Sequence, residues 1–275
     1  KSGVPIRWVN ATDLAEWAQR RDGQATMPTL IAKLIRAAHG PSVDIRFPSD
    51  EAIQYAGWDG LTRSEQASRY VPNGVTGWEI GTQRQAIADK ASADFDKRSN
   101  PPGELRPSDS TFIFVTPRQW PKKEEWAQER RALNLWRDVR AYDGNDLVHW
   151  IELYPAVGQW LATLLGKRPP GIRQLEEVWF EWSLATQWPL TPDLILSDRD
   201  EDAVAVLQWL RSQASMFSLQ GETADEVAAF FFAAIGQLPA DAAQHYLTRC
   251  VVATSADAAR GVAESLTPLI IVLLD

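Results

Sequence analysis

The sequence predicts an α/β protein, with a mixed sheet flanked by helices followed by a second, smaller α/β unit. Three observations carry this. Runs of helical and strand period alternate over about the first 165 residues in the order α, β, β, β, α, β, α, β, α. The strand runs are short and rich in β-branched and aromatic residues, as in "TGWEIGT" and "STFIFVTP". After Gln174 the texture and the charge both change: residues 1–175 carry a net charge of +3 and residues 176–275 a net charge of −11. A sign split of this size points to two units with different partners.

The elements follow in order. "NATDLAEWAQRRDG" is a helix with Asn10 or Thr12 as N-cap and Gly23 as its end. "TMPTLIAKLIRAAHG" is a second helix, with Pro28 in its first turn, Leu30, Ile31, Leu34 and Ile35 on one apolar face, and Gly40 as its stop. "SVDIRFP" alternates as a strand does, "IQYAGWDG" is a short strand or turn, and "TGWEIGT" is a third strand. "QRQAIADKASADFDKRSN" is helical and "NPPG" ends it. "STFIFVTP" is a buried strand, "KKEEWAQERRALNLW" a helix and "DVRAYDG" a strand. "NDLVHWIELYPAVGQWLATLLG" is a helix that Pro155 breaks or kinks. "GKRPPG", at 166–171, is the linker, giving domains 1–168 and 169–275. Beyond it "LEEVWFEWSLAT", "EDAVAVLQWLRSQ", "ETADEVAAFFFAAIGQL", "DAAQHYLTR" and "ADAARGVAES" are helical, and "PDLILSDR", "SMFSLQG", "CVVATS" and "PLIIVLLD" are strands. Ending on a strand predicts a fragment of a longer protein.

Composition bounds the function. One cysteine, Cys250, cannot form an internal disulfide, which favours a reducing, cytoplasmic setting. There is no signal-peptide pattern, and the longest apolar run, "LTPLIIVLLD", falls short of the roughly 20 residues a membrane crossing needs. The 13 tryptophans read first as core residues and second as base-stacking platforms.

The chemistry gathers around one charged residue in a strand. Glu79 lies in "GWEIGT", where a half-buried carboxylate is costly unless something pairs with it. Asp59 lies twenty residues earlier in "GWDG", and Lys90 and Lys97 lie on the following helix. Two carboxylates at adjacent strand ends make an oxygen-rich site for Mg²⁺, and a lysine nearby can stabilise charge on a phosphate. Taken singly, Asp59 reads as a turn residue, Glu79 as a solvated strand face and each lysine as a solvated helix residue. Thr82 and Gln83 follow the glutamate and can position water or phosphate. "KRSNPPGELR" and "RQWPKKEEW" add Arg98, Lys122 and Lys123 as candidate nucleic-acid contacts. His39, His149 and His245 have no ligand or triad spacing. Cys250 reads as a packed thiol. "SLQGETADEVAAFF" stands where a phosphate-binding loop would, without its Gly-Lys-Ser/Thr, and "PLIIVLLD" is like the apolar strand that ends on an NTPase magnesium ligand. The region reads first as an acidic α/β interaction domain, and these two stretches offer the start of a degenerate NTPase-like domain as the alternative.

At "GWDG … VPNGVTGWEIGT … KASADFDKRS" the sequence resembles the PD-(D/E)XK, restriction-endonuclease-like superfamily. The family core of helix, three strands, helix and strand would be residues 27–39, 42–48, 52–59, 75–81, 84–98 and 110–116. "VRAYDGNDLVHWIE" is similar to the closing strand and helix of the Mrr-type branch. The whole resembles nuclease modules at the front of large bacterial antiphage proteins with NTPase regions behind them. The resemblance implies a metal-dependent DNA endonuclease, with Asp59 and Glu79 as ligands of Mg²⁺ or, in substitution, Mn²⁺. It implies DNA and the rest of a larger polypeptide or a partner protein as partners, with self-association left open and no membrane. The family lysine two positions after the glutamate is absent, because that position is Gly81. Lys90 is the substitute and Lys97 the reserve, since Ala86, Lys90, Ala93 and Lys97 share a helix face that small alanines would let lie against the sheet. The competing readings are an inactive nuclease-fold sensor of nucleic acid or protein, and a scaffold whose acidic second unit docks a partner.

Overall fold

In the computed structural model, which describes residues 3–48, 57–100, 104–212 and 216–274, the first five strands form one mixed sheet. β1 (Val43–Arg46), β2 (Gly60–Ser64), β3 (Gly74–Ile80), β4 (Ser110–Val115) and β5 (Asp138–Tyr142) lie side by side in chain order. β1, β2 and β3 pair antiparallel; β3, β4 and β5 pair parallel. Each parallel step needs a long crossover. α3 (Ile87–Ser99) supplies the first and α4 (Lys123–Ala132) the second. By its contacts the chain divides into two compact units, residues 7–153, and residues 154–275 with the first six residues.

Two helices precede the sheet. α1 (Ala11–Trp17) starts at Asn10, whose side chain accepts from the Asp13 amide at 3.0 Å while Asp13 accepts from the Asn10 amide at 2.8 Å. This reciprocal pair satisfies two amides that a helix start leaves without partners. α2 (Arg21–His39) buries Leu30, Ile31, Leu34 and Ile35, the face expected. Gly23 does not end the first helix; it lies in the first turn of α2. A Cβ there would stand 2.0 Å from the Trp17 carbonyl oxygen, so glycine permits the tight α1–α2 corner. Pro28 accordingly lies within α2 and not in its first turn.

The strand expected over 52–59 is also displaced. Residues 52–56 lie outside the described residues, 57–59 form the approach, and the strand itself is Gly60–Ser64. Gly60 makes room for the Phe47 ring, which a Cβ would meet at 2.1 Å.

The sheet's two faces are covered differently. On one, Trp78 of β3 is fully buried among Tyr142, Trp150 and Phe47, and its indole N–H donates to Thr62 Oγ1 at 3.0 Å. On the other, Phe112 and Phe114 of β4 pack under α3 and α4 with Phe95, Trp120 and Trp126. Glu79 lies on this second, aromatic face, level with Phe114 in the parallel register. The last helical run splits, as Pro155 requires, into α5 (Gly144–Leu153) and α6 (Pro155–Leu164).

The second unit contains a three-stranded sheet in which β7 (Cys250–Ala253) lies between antiparallel β6 (Ile172–Arg173) and parallel β8 (Ile270–Leu273). "PDLILSDR" is not a strand. It holds α8 (Pro192–Leu196), because Thr191 caps the Leu194 amide and Pro192 fits the first helical position. "SMFSLQG" is not a strand over its described part, 216–221, which has no regular structure. No helix among the described residues is long and apolar enough to cross a membrane.

Removing the Trp78 side chain empties a fully buried aromatic site of the sheet. Trp78→Ala should cost about 3–5 kcal/mol in urea denaturation, and Trp78→Phe less, because it fills most of the volume but leaves Thr62 without its donor.

Candidate functional site

Glu79 stands at the end of a row of aromatic rings, and that sets its chemistry. It is 4 % exposed. The Arg98 guanidinium, from the last turn of α3, donates its Nε–H to Glu79 Oε1. Arg98 also donates to the Gly57 carbonyl and lies over the Trp58 ring, 4.6 Å from its centroid. Trp58 is itself held by Phe112 and Trp136. Asp59 comes close from the β2 side: its Oδ2 accepts from the Ile80 amide at 2.7 Å, one residue past Glu79. Asp94, one turn before Arg98 on α3, is the third acid. It is 6 % exposed, its Oδ1 takes the Lys90 ammonium at 2.6 Å, and its Oδ2 is buried with no hydrogen-bond partner.

The charges act on Glu79 in opposite senses. Burial, and then the Asp59 and Asp94 charges, push its carboxyl up, while Arg98 pulls it down; the outcome is a pKa of about 8. Burial is the largest cause, as expected for a carboxyl against apolar rings.

Sequence reasoning placed Lys90 against Glu79, and the structure places it on Asp94 instead. The Ala86–Lys90–Ala93–Lys97 face is the solvent side of α3. The face against the sheet is Ile87, Ala91, Asp94, Phe95 and Arg98. These recur at steps of four, three, one and three, which is a helical stripe, and reading that stripe from Phe95 would have found Arg98. Arg98 entered the sequence reading only as a nucleic-acid contact. Lys97 is exposed at the end of α3.

Gly81, where the resemblance would put a lysine, has no room for a side chain. A Cβ at Gly81 would lie 2.5 Å from Phe114 Cζ, so the ring occupies the space where any side chain would start. The loop after Gly81 is fixed by Arg118, whose Nε and Nη2 both donate to the Thr82 carbonyl at 3.2 Å. Gln83 Nε2 is buried without a partner. Lys122 is exposed, whereas the Lys123 ammonium is held by Asp143 at 2.8 Å and by Asp146.

The remaining candidates are structural. His39 bonds Ser68 Oγ at 2.8 Å, and burial lowers its pKa. Cys250 is buried on β7, and burial pushes its thiol up, away from a reactive thiolate. In "SLQGETADEVAAFF", Thr223 caps α10 (Ala224–Ile235) and Glu226 pairs with Arg199 at 3.0 Å, an arrangement of cap and ion pair rather than of free amides and a lysine.

Among the described residues no group of three or more His, Cys, Asp or Glu side chains is arranged to hold a metal ion. Magnesium needs less than that. It binds through one or two carboxylates, with waters and substrate phosphate completing its shell. Asp59 and Glu79 are two hard oxygen groups of that kind, although Glu79 already holds the Arg98 guanidinium. They are the two groups that could ligate the ion, and Arg98 is the cation already present. Compared with known proteins, the chain matches no protein-family model, no curated protein and no solved structure.

The Glu79 carboxyl makes stability depend on pH. Unfolded, it loses its proton near the ordinary value of 4.5; folded, it keeps it to about 8. The folded state binds the extra proton in that window, so stability falls as pH rises through it. Glu79→Gln should flatten this part of the urea-denaturation profile by up to about 1.4 kcal/mol per pH unit.

Proposed function

We propose that residues 7–153 form a metal-dependent nuclease domain of the restriction-endonuclease-like kind, which hydrolyses phosphodiester bonds in DNA. The observation that carries this reading is the meeting of Asp59 and Glu79 at the neighbouring ends of β2 and β3, within an order of helix, three strands, helix and strand. Asp59 and Glu79 would hold Mg²⁺, with Mn²⁺ as substitute. The bound ion supplies an acidified water and neutralises charge on the phosphate. The chain's own residues have separate roles. The Asp59 carboxylate is oriented by the Ile80 amide. The aromatic wall of Trp58, Phe112 and Phe114 keeps bulk water from one side of Glu79. Exposed Lys97 and Lys122 can meet the DNA backbone, where each contact adds salt-dependent affinity. The setting in an antiphage protein rests on the sequence resemblance alone.

A second reading is favoured by one observation: Arg98 already occupies Glu79. A nuclease fold whose acid is satisfied internally would bind nucleic acid or a partner protein without cutting.

Plasmid cleavage separates the two. The first reading expects nicking in Mg²⁺ or Mn²⁺ that EDTA stops. Glu79→Gln and Asp59→Asn should each lower the rate at least about 100-fold with an unchanged circular dichroism spectrum. No cleavage in either metal selects the second reading. Undiminished cleavage by Glu79→Gln would place the chemistry elsewhere.

A further inference from the structure

We propose that a cleft in the second compact unit binds a small phosphomonoester, holding its phosphate at Arg168 and taking a hydroxyl of the same molecule on Gln159. Every residue of the cleft lies within residues 154–275, so the proposal is independent of the nuclease reading.

The cleft has a volume of about 260 Å³. Gln159 and Thr163 of α6 form one wall and residues 168–173 of the linker another, with Glu177 of α7 (Leu175–Ser183) and Thr254, just past β7, completing it. The linker wall is stiff. Pro169 and Pro170 fix their own φ. Gly171 lies in the left-handed region at φ 69°, and its carbonyl accepts from the Thr254 amide at 2.9 Å. A Cβ at Gly171 would stand 2.8 Å from the Ala258 Cβ, so glycine lets the linker close onto α12 (Ala256–Ala263). A wall held in this way is formed before any ligand arrives.

One polar group in that wall calls for a ligand. Gln159 is 2 % exposed. Its Nε2 donates to Thr163 Oγ1 at 3.1 Å, and its Oε1 is buried with no hydrogen-bond partner among the described residues. A buried amide oxygen without a donor is costly, and folded proteins seldom leave one. An O–H or N–H brought in by a ligand completes it.

Charge selects the rest of the ligand. Residues 176–275 carry a net charge of −11, yet Lys167, Arg168 and Arg173 fall within seven residues at the cleft. Arg173 is held by Glu181 at 2.5 Å and by Glu177 at 3.7 Å, which also answers the acid on the rim. Arg168 is exposed and has no partner among the described residues. It is the cation left over, and its planar fork suits phosphate. α12 begins two residues past Thr254, with the positive end of its dipole on the same side. A phosphomonoester presents three oxygens to these groups while its carbon skeleton carries hydroxyls toward Gln159. The volume lies just under the roughly 300–1,000 Å³ of drug-sized pockets, which suits a sugar phosphate and excludes a dinucleotide.

The test is isothermal titration calorimetry on the full chain with ribose 5-phosphate, inorganic phosphate, ribose and gluconate. Ribose 5-phosphate should bind at least about fivefold more tightly than phosphate, and ribose should give no heat. Arg168→Met should weaken both phosphates at least about tenfold. Gln159→Leu should bring ribose 5-phosphate down to the level of phosphate and leave phosphate unchanged. Four results overturn the proposal. The first is no binding of ribose 5-phosphate up to about 1 mM, or binding no tighter than that of phosphate. The second is binding undiminished in Arg168→Met, which places the phosphate on other basic residues. The third is ribose 5-phosphate binding unchanged in Gln159→Leu, which leaves a water as the partner of Gln159. The fourth is tighter binding of gluconate, which makes the ligand a carboxylate. Should Gln159→Leu fail to fold, the comparison of the two phosphates on the wild type, with Arg168→Met at an exposed position, decides alone.

Discussion

A carboxylate set among aromatic rings cannot stand ionised without a partner, and much of this sheet is arranged around that constraint. Glu79 is nearly as buried as the phenylalanines beside it. Moving a charge there from water costs several kcal/mol, and only close, well-aligned partners offset it. Arg98 is the partner, and three further features exist to hold Arg98. Trp58 lies under its guanidinium, the Gly57 carbonyl takes a second N–H, and Phe95, three residues earlier, anchors the same stripe of α3 in the core. Gly77 serves the same end from the sheet, because a Cβ there would meet the Trp58 ring at 2.5 Å. Removing one member of such a pair leaves the other as an unpaired buried charge, which costs more than the pair contributes.

Topology decides which residue reaches Glu79. β3 ends at Ile80, yet α3 begins only at Ile87, with Ala86 in the left-handed region at φ 54°. The chain turns between them, and it is Arg98, in the last turn of α3, whose side chain reaches the glutamate. Helical side chains lean toward the N-terminus of their helix. Arg98 reaches Glu79, while exposed Lys90 pairs with Asp94, one turn along the helix. A helix starting directly at the strand end would have reversed these roles.

Much of this was legible in the sequence, and the failures are of two kinds. The order of elements, the buried β4 and the break at Pro155 follow from hydrophobic period and proline chemistry, which are local. That Glu79 needed a partner was also legible, from one acid in an apolar strand. Which partner was not, because alanines at 86 and 93 suggested a small, sheet-facing stripe where the larger Ala91–Phe95 stripe packs instead. Gly23, "PDLILSDR" and the Gly60 strand failed in another way. At "PDLILSDR" the Thr191–Pro192 helix start was a local signal that the strand reading passed over, whereas Gly23 and Gly60 do their work through contacts with Trp17 and Phe47. Local propensity carries no record of such contacts.

The charge balance of the cluster suggests why it is built as it is. With all five groups ionised, Asp59, Glu79 and Asp94 outweigh Arg98 and Lys90 by one negative charge. Burial makes that excess expensive, and something must remove it. A proton can do so, and the rise of the Glu79 pKa to about 8 is that proton's affinity. A cation can do so as well, and it would compete with the proton for the same carboxylate.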